Sequence, residues 1–133
     1  MRYVALIFPR ASTSAAMGAA VHELASSFKV KRTGRFVPGS ASRARALLQC
    51  IYGDKGWFGQ RAMKRHLRKK FGADALYDRP VCFFVFKTGR GLHHVVRCKK
   101  RIRRIFGIGT SSIHINDYRR ETADMVAFLS KYA

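Results

Sequence analysis

Residues 80–117 read PVCFFVF KTGRG LHHVVRCKKRIRRIF GIGTSS IHIND, and this stretch decides the fold. Val81 to Phe86 is an unbroken apolar and aromatic run, as expected of a strand buried on both faces. Gly89 and Gly91 form a turn. From Val95 the apolar residues Val95, Cys98, Ile102 and Ile105 recur at steps of three and four, one stripe of a helix. Arg97, Lys100, Arg101 and Arg104 take the opposite side, with Lys99 and Arg103 on its flanks. A second Gly-rich turn leads to a strand at Ile113-His114-Ile115. The unit is β-α-β, and no Asp or Glu occurs between Arg79 and Asn116. It therefore presents an uncompensated cationic helix face.

Working outward, the chain repeats that design. Tyr3 to Phe8 reads as a buried strand stopped by Pro9. The Ser12-Thr13-Ser14 cluster offers N-caps to a helix with the stripe Met17, Val21, Leu24 and Phe28. Its other side is small and nearly uncharged, so this helix is expected to be covered on both faces. Lys29 to Val37 alternates basic and apolar around Thr33-Gly34, a short strand or hairpin with Lys29, Lys31, Arg32 and Arg35 outward. Ala41 to Tyr52 makes a helix with Ala44, Leu47, Leu48 and Ile51 inward and Arg43 and Arg45 outward. A second helix, Phe58 to Phe71, carries Arg61, Lys64, Arg65, Arg68, Lys69 and Lys70 over most of its remaining surface, without one acid. The last helix, capped by Asn116 or Asp117, has Tyr118, Thr122, Met125, Val126 and Leu129 as its inner stripe. The order β-α-β-α-α-β-α-β-α gives an α/β class: a single domain over 1–133, a small sandwich with a mixed sheet of about four strands, helices packed on it and a helical insert at about 41–71.

Charge bounds the function. The 133 residues hold 27 Lys and Arg against 7 Asp and Glu, a formal net charge of +20, while 47% of residues are hydrophobic. The apolar content excludes a disordered tail. Positive charge must spread over roughly 7,000 Å² of surface, and its self-repulsion is relieved by a polyanion. Nucleic acid is the expected partner. A membrane is not, because no apolar run approaches a spanning length. Three cysteines at wide spacing, Cys50, Cys82 and Cys98, read as free thiols of a reducing compartment, and no Cys-x-x-Cys pair suggests zinc. His94 and Cys98, one helical turn apart, read as a polar residue beside a core thiol. Met1 to His22 has no acid and several Ser, Thr and Ala, the composition of an organellar import sequence, but its strand places it within the fold.

Two clusters carry candidate chemistry. Lys87-Thr-Gly-Arg90-Gly precedes a helix N-terminus, where backbone amides can hold a phosphate, yet it lacks the third glycine of a dinucleotide fingerprint. His114, Asp117 and Glu121 gather at a strand end, the usual place for catalytic groups in α/β enzymes. A nuclease would use His114 as base and Asp117 for a metal, but both acids also suit a helix cap and first turn. Trp57, between a lysine, a phenylalanine and two nearby glycines, is the aromatic expected at the surface.

The β-α-β opening and basic character resemble small ribosomal proteins in general, and no motif narrows that to a family. The expectation is thus a structural RNA-binding component of a large ribonucleoprotein, most readily a ribosomal protein on rRNA, with neighbouring proteins as further partners. It would be mitochondrial ahead of cytoplasmic and not secreted. It would be no enzyme, with no cofactor, no metal and no small-molecule substrate. RNA phosphates would be met by Lys29, Lys31, Arg32, Arg35, Arg43, Arg45, Arg61, Lys64, Arg65, Arg68, Lys69, Lys87, Arg90, Arg97, Lys100, Arg101 and Arg104. The alternative is a small nucleic-acid-processing enzyme, nuclease-like, or its accessory domain.

Overall fold

Strand β1 (Arg2–Ile7) sets the architecture, because every residue after Arg2 is buried. Alternate side chains leave a strand on opposite sides. Tyr3, Ala5 and Ile7 enter one apolar cluster, and Val4 and Leu6, with Phe8 beyond them, enter another. A strand with two apolar faces needs a layer on each. The computed structural model, which describes residues 2–116 and 119–132, has that three-layer arrangement.

The sheet adds β2 (Lys29–Phe36), β3 (Val81–Lys87) and β4 (Ile113–Ile115) in the order β2-β3-β1-β4. All neighbours are antiparallel: Tyr3 faces Phe86, Leu6 faces His114 and Thr33 faces Phe84. β1 and β2 consequently run parallel with β3 between them, and β3 and β4 run parallel with β1 between them. These are two interleaved split β-α-β units, the ferredoxin-like pattern. The α/β class with four strands and packed helices is as the sequence reads, but the expected mixed sheet is antiparallel throughout, because each unit places a strand between the two of the other. Lys29 to Phe36 is one strand with a bulge between Val30 and Arg32, not a hairpin.

The helices are α1 (Pro9–Ser12), α2 (Met17–Ser27), α3 (Ala41–Tyr52), α4 (Gln60–Phe71), α5 (Leu92–Phe106) and α6 (Arg119–Tyr132), with a 3-10 turn at Gly109–Ser111. α2 and α5 cover one sheet face through Ala20, Leu24, Val95, Cys98 and Ile102. α3, α4 and α6 cover the other through Leu47, Leu48, Ile51, Leu67, Met125 and Leu129. Each buried Val, Leu, Ile or Met among them contributes about 1.5–3 kcal/mol. Ser40 caps α3 by accepting from the Arg43 amide at 3.2 Å. Gly34 is required by contact: a Cβ there would lie 2.4 Å from the Phe83 ring.

Several expectations are corrected. Ser12, Thr13 and Ser14 do not cap α2; their hydroxyls donate to the carbonyls of Pro80, Pro9 and Ala11. α2 is not covered twice, since Gly18, Ala19, His22, Ala25 and Ser26 are exposed. Ile105, placed in the α5 stripe, is 36% exposed, because Phe106, four residues after Ile102, takes the inward position of that turn. Lys70, read as surface, is buried. Asn116 is buried as well: its Oδ1 accepts from the Val4 amide at 2.6 Å, its Nδ2 donates to the Thr122 hydroxyl, and that hydroxyl donates to the Arg2 carbonyl. Asp117 and Tyr118, with their proposed cap, metal and core roles, lie outside the described residues.

Candidate functional site

His114 occupies the middle of β4, opposite Leu6, between two buried isoleucines. It therefore points to the α3-α4-α6 side of the sheet, on the edge strand. There it meets the first turn of α6. His114 Nε2 lies 2.9 Å from Glu121 Oε1, and both side chains are largely enclosed. A carboxylate accepts, so Nε2 carries the proton, and in the neutral ring Nδ1 then holds the lone pair. Burial pushes the His114 pKa below its ordinary value, against the opposing pull of Glu121. The imidazole is thus neutral near pH 7 and has its nucleophilic nitrogen fixed by a hydrogen bond.

Around this pair lies a cleft of about 660 Å³ lined from five elements and two loops. Tyr52 ends α3, Lys55 and Trp57 sit in the following loop, and Arg65, His66 and Lys69 come from α4. Lys99 and Arg103 reach in from α5, Thr110 from the 3-10 turn, His114 from β4 and Glu121 from α6. Five cationic side chains thus face one carboxylate. Burial, reinforced by Lys70, Arg65 and Lys69, lowers the His66 pKa to about 4. Burial also raises the Tyr52 phenol, which stays protonated. Behind the cleft, burial lowers the Lys70 ammonium to about 8, with Arg103 and Lys69 adding to the effect. Lys70 Nζ donates to the Thr110 carbonyl at 3.1 Å and sits 4.8 Å from the Phe8 ring centre and 5.6 Å from that of Tyr52. Trp57 is 56% exposed at the mouth, as its sequence context suggested.

The other cations are distributed, not gathered. Lys29, Lys31, Arg32 and Arg35 are exposed along the β2 edge, and Lys87 faces Lys29 across the pair with β3. Lys29 crowds Lys31 and lowers its pKa. Arg45, Arg61 and Lys64 border a second hollow between α3 and α4, of about 750 Å³; Arg68 lies further along the same helix with Arg65 and Lys64. Arg43 stands 5.5 Å from the Tyr132 ring centre, and Arg90 is 3.4 Å from His94 Nε2. Arg97, Lys100 and Arg104 are exposed on α5. Arg101 is a correction: it donates to Glu23 at 2.5 Å, so the cationic face of α5 is compensated there by α2. Of the cations expected to meet RNA, only Arg65 and Lys69 line the cleft.

The thiols have no nucleophilic setting. Burial raises Cys50 to about 11 and also raises Cys82 and Cys98. His94 turns to the Ser27 carbonyl, 3.3 Å away, and among the described residues no three His, Cys, Asp or Glu side chains cluster to hold a metal. No described helix is long and apolar enough to cross a membrane. Sequence reasoning had His114 and Glu121 in hand, but grouped them with Asp117 and read the two acids as helix-cap and first-turn residues, with a metal on Asp117 only in the nuclease alternative. It missed Tyr52, Lys55, His66, Lys99 and Arg103 as neighbours. The seven-residue step from His114 to Glu121, strand to first helical turn, was the available signal.

No protein-family model matches the chain, and no curated protein matches it in sequence. The fold does have a likeness among solved structures. The nucleoside diphosphate kinase of Aquifex aeolicus superposes with a TM-score of 0.60 at 14% identity, over 96% of this chain and 93% of that one. This corrects the expectation of a structural ribosomal protein contacting rRNA, with its nuclease-like alternative. The basic helices α4 and α5 that suggested an RNA scaffold instead border an open cleft, on a fold that an enzyme also has. The likeness is one of fold, over nearly the whole length of both chains.

Proposed function

We propose that the cleft binds a nucleoside di- or triphosphate and that His114 accepts the terminal phosphoryl group of the triphosphate. The carrying observation is the His114–Glu121 pair, 2.9 Å apart, among five cations. A polyphosphate chain matches the charge of Lys55, Arg65, Lys69, Lys99 and Arg103. A base finds an aromatic partner in the exposed Trp57. The name of the Aquifex neighbour, a nucleoside diphosphate kinase, supports the same class of ligand.

The chemistry follows from the protonation states. The Nδ1 lone pair attacks the terminal phosphorus; the N–P bond forms as the bridging P–O bond breaks, and the nucleoside diphosphate leaves with the electron pair. The ring becomes cationic, and the Glu121 carboxylate on Nε2–H stabilises it. The surrounding cations offset charge on the transferring and leaving oxygens. A second nucleoside diphosphate takes the phosphoryl group by the reverse path.

The test is incubation of the protein with nucleoside triphosphate labelled on its terminal phosphate. Label stable to base, labile to acid and mapped to His114 is expected, with none on His114→Gln. Glu121→Gln should label more slowly. An unlabelled wild-type protein that also fails to bind nucleotide in calorimetry overturns the reading.

A further inference from the structure

We propose that His66 is a specificity-determining residue of this cleft, its Nδ1 hydrogen-bonding the nucleoside part of the bound nucleotide; this rests on the nucleotide reading above. Among the described residues His66 Nδ1 is buried and has no hydrogen-bond partner. Its ring stands 4.8 Å from Tyr52, 5.7 Å from Trp57 and 5.7 Å from Phe58, centre to centre. A buried polar nitrogen inside such a cage is unfavourable unless something satisfies it. His66 lines the cleft, so a ligand that displaces the ring covering Nδ1 can.

Charge decides which part of the ligand that is. The ring is neutral at physiological pH, its pKa lowered to about 4 by burial and by Lys70, Arg65 and Lys69. A phosphate is drawn to the Lys and Arg side chains in preference to a neutral imidazole. The nucleoside is left for the aromatic side of the cleft. There the Trp57 ring is inclined 33° to the imidazole. A base stacked on the exposed part of that indole lies at the edge of the imidazole and brings a base-edge atom or an adjoining sugar hydroxyl towards Nδ1. The residue then separates nucleotides from bare polyphosphates, since only the nucleoside supplies the missing partner.

The test compares ADP with pyrophosphate by calorimetry on wild type and His66→Phe, which keeps a ring in the cage and removes both nitrogens. ADP is expected to bind about five- to tenfold more weakly to the variant, with pyrophosphate affinity unchanged. Equal ADP affinity for the two proteins, or equal losses for both ligands, overturns the assignment while leaving the cleft reading intact. Should wild type bind neither ligand, both readings fall. If the variant does not fold, nitrogen NMR of the wild-type histidines decides. The His66 Nδ1 resonance is expected to move with ADP and not with pyrophosphate, and no movement with bound ADP refutes the role.

Discussion

Replacing Lys70 by Met should make the protein more stable, although it deletes a hydrogen bond. Lys70 is 1% exposed, and among the described residues no carboxylate pairs with it. Its ammonium has one carbonyl and two ring faces in place of water. The drop from 10.5 to about 8 corresponds to ~3 kcal/mol by which folding disfavours the charged form. Methionine fills a similar volume without a charge. The Thr110 carbonyl loses its donor, but Thr110 is exposed and water can replace it, at a cost of about 1 kcal/mol. The expected gain at pH 7 is therefore ~1–3 kcal/mol, a rise in Tm of about 3–5 °C per kcal/mol. The pH dependence carries a sign. The folded pKa lies below the unfolded one, so between about 8 and 10.5 the unfolded chain holds the extra proton. Wild-type stability, all else equal, rises with pH across that window. Urea melts of both proteins at several pH values from 7 to 10 should show a gap that closes towards alkaline pH. A variant less stable than wild type at pH 7, with a gap that does not change with pH, would refute the buried-charge argument.

Further outcomes follow from other residues. Ile102→Ala empties a fully buried site between α5 and the sheet, and chemical denaturation should show a loss of ~2–5 kcal/mol. Gly34→Ala drives a methyl into the Phe83 ring and should lower the melting temperature, with partial rescue by Phe83→Leu if the ring is the obstacle. Glu23→Gln removes the partner of Arg101; the pair is partly exposed, so the cost should be within ~1 kcal/mol and shrink as salt is added. Because burial lowers the His114 pKa, labelling at that residue should persist at pH values where a free imidazole is already protonated, as a pH series would show.

Local pattern carried far in this chain. Ala44, Leu47, Leu48 and Ile51 define α3 from Ala41 to Tyr52, the observed helix, and the run from Val81 is the buried strand β3. In each case the neighbours in sequence determine the element. Strand order was not legible, because nothing between Pro9 and Ser27 states that β3 will separate β1 from β2. Lys70 was unreadable for a related reason: Arg68, Lys69 and Lys70 look alike in sequence, yet a 100° step per residue turns the third inward. The cleft was hidden most deeply. Tyr52, His66, Arg103 and His114 belong to four elements, and only the chain's return across both faces of the sheet brings them together. Cationic charge was visible, but its division between one cleft and scattered surface positions was not.

The bonds of Asn116 bear on how a three-residue strand holds its place. The Asn116 amide reaches back to the Val4 carbonyl at 3.4 Å, while the Val4 amide goes to the Asn116 side chain. One rung of the ladder is thus closed by a side-chain oxygen in place of a main-chain one. The backbone can depart for α6 a residue early and still keep the pairing, as a hem is finished with one hand stitch. Alanine lacks the oxygen, glutamine carries it one carbon too far, and aspartate brings a charge into a dry place. The end of β4 is therefore specified by the chemistry of one residue, and with it the position of His114 two residues before.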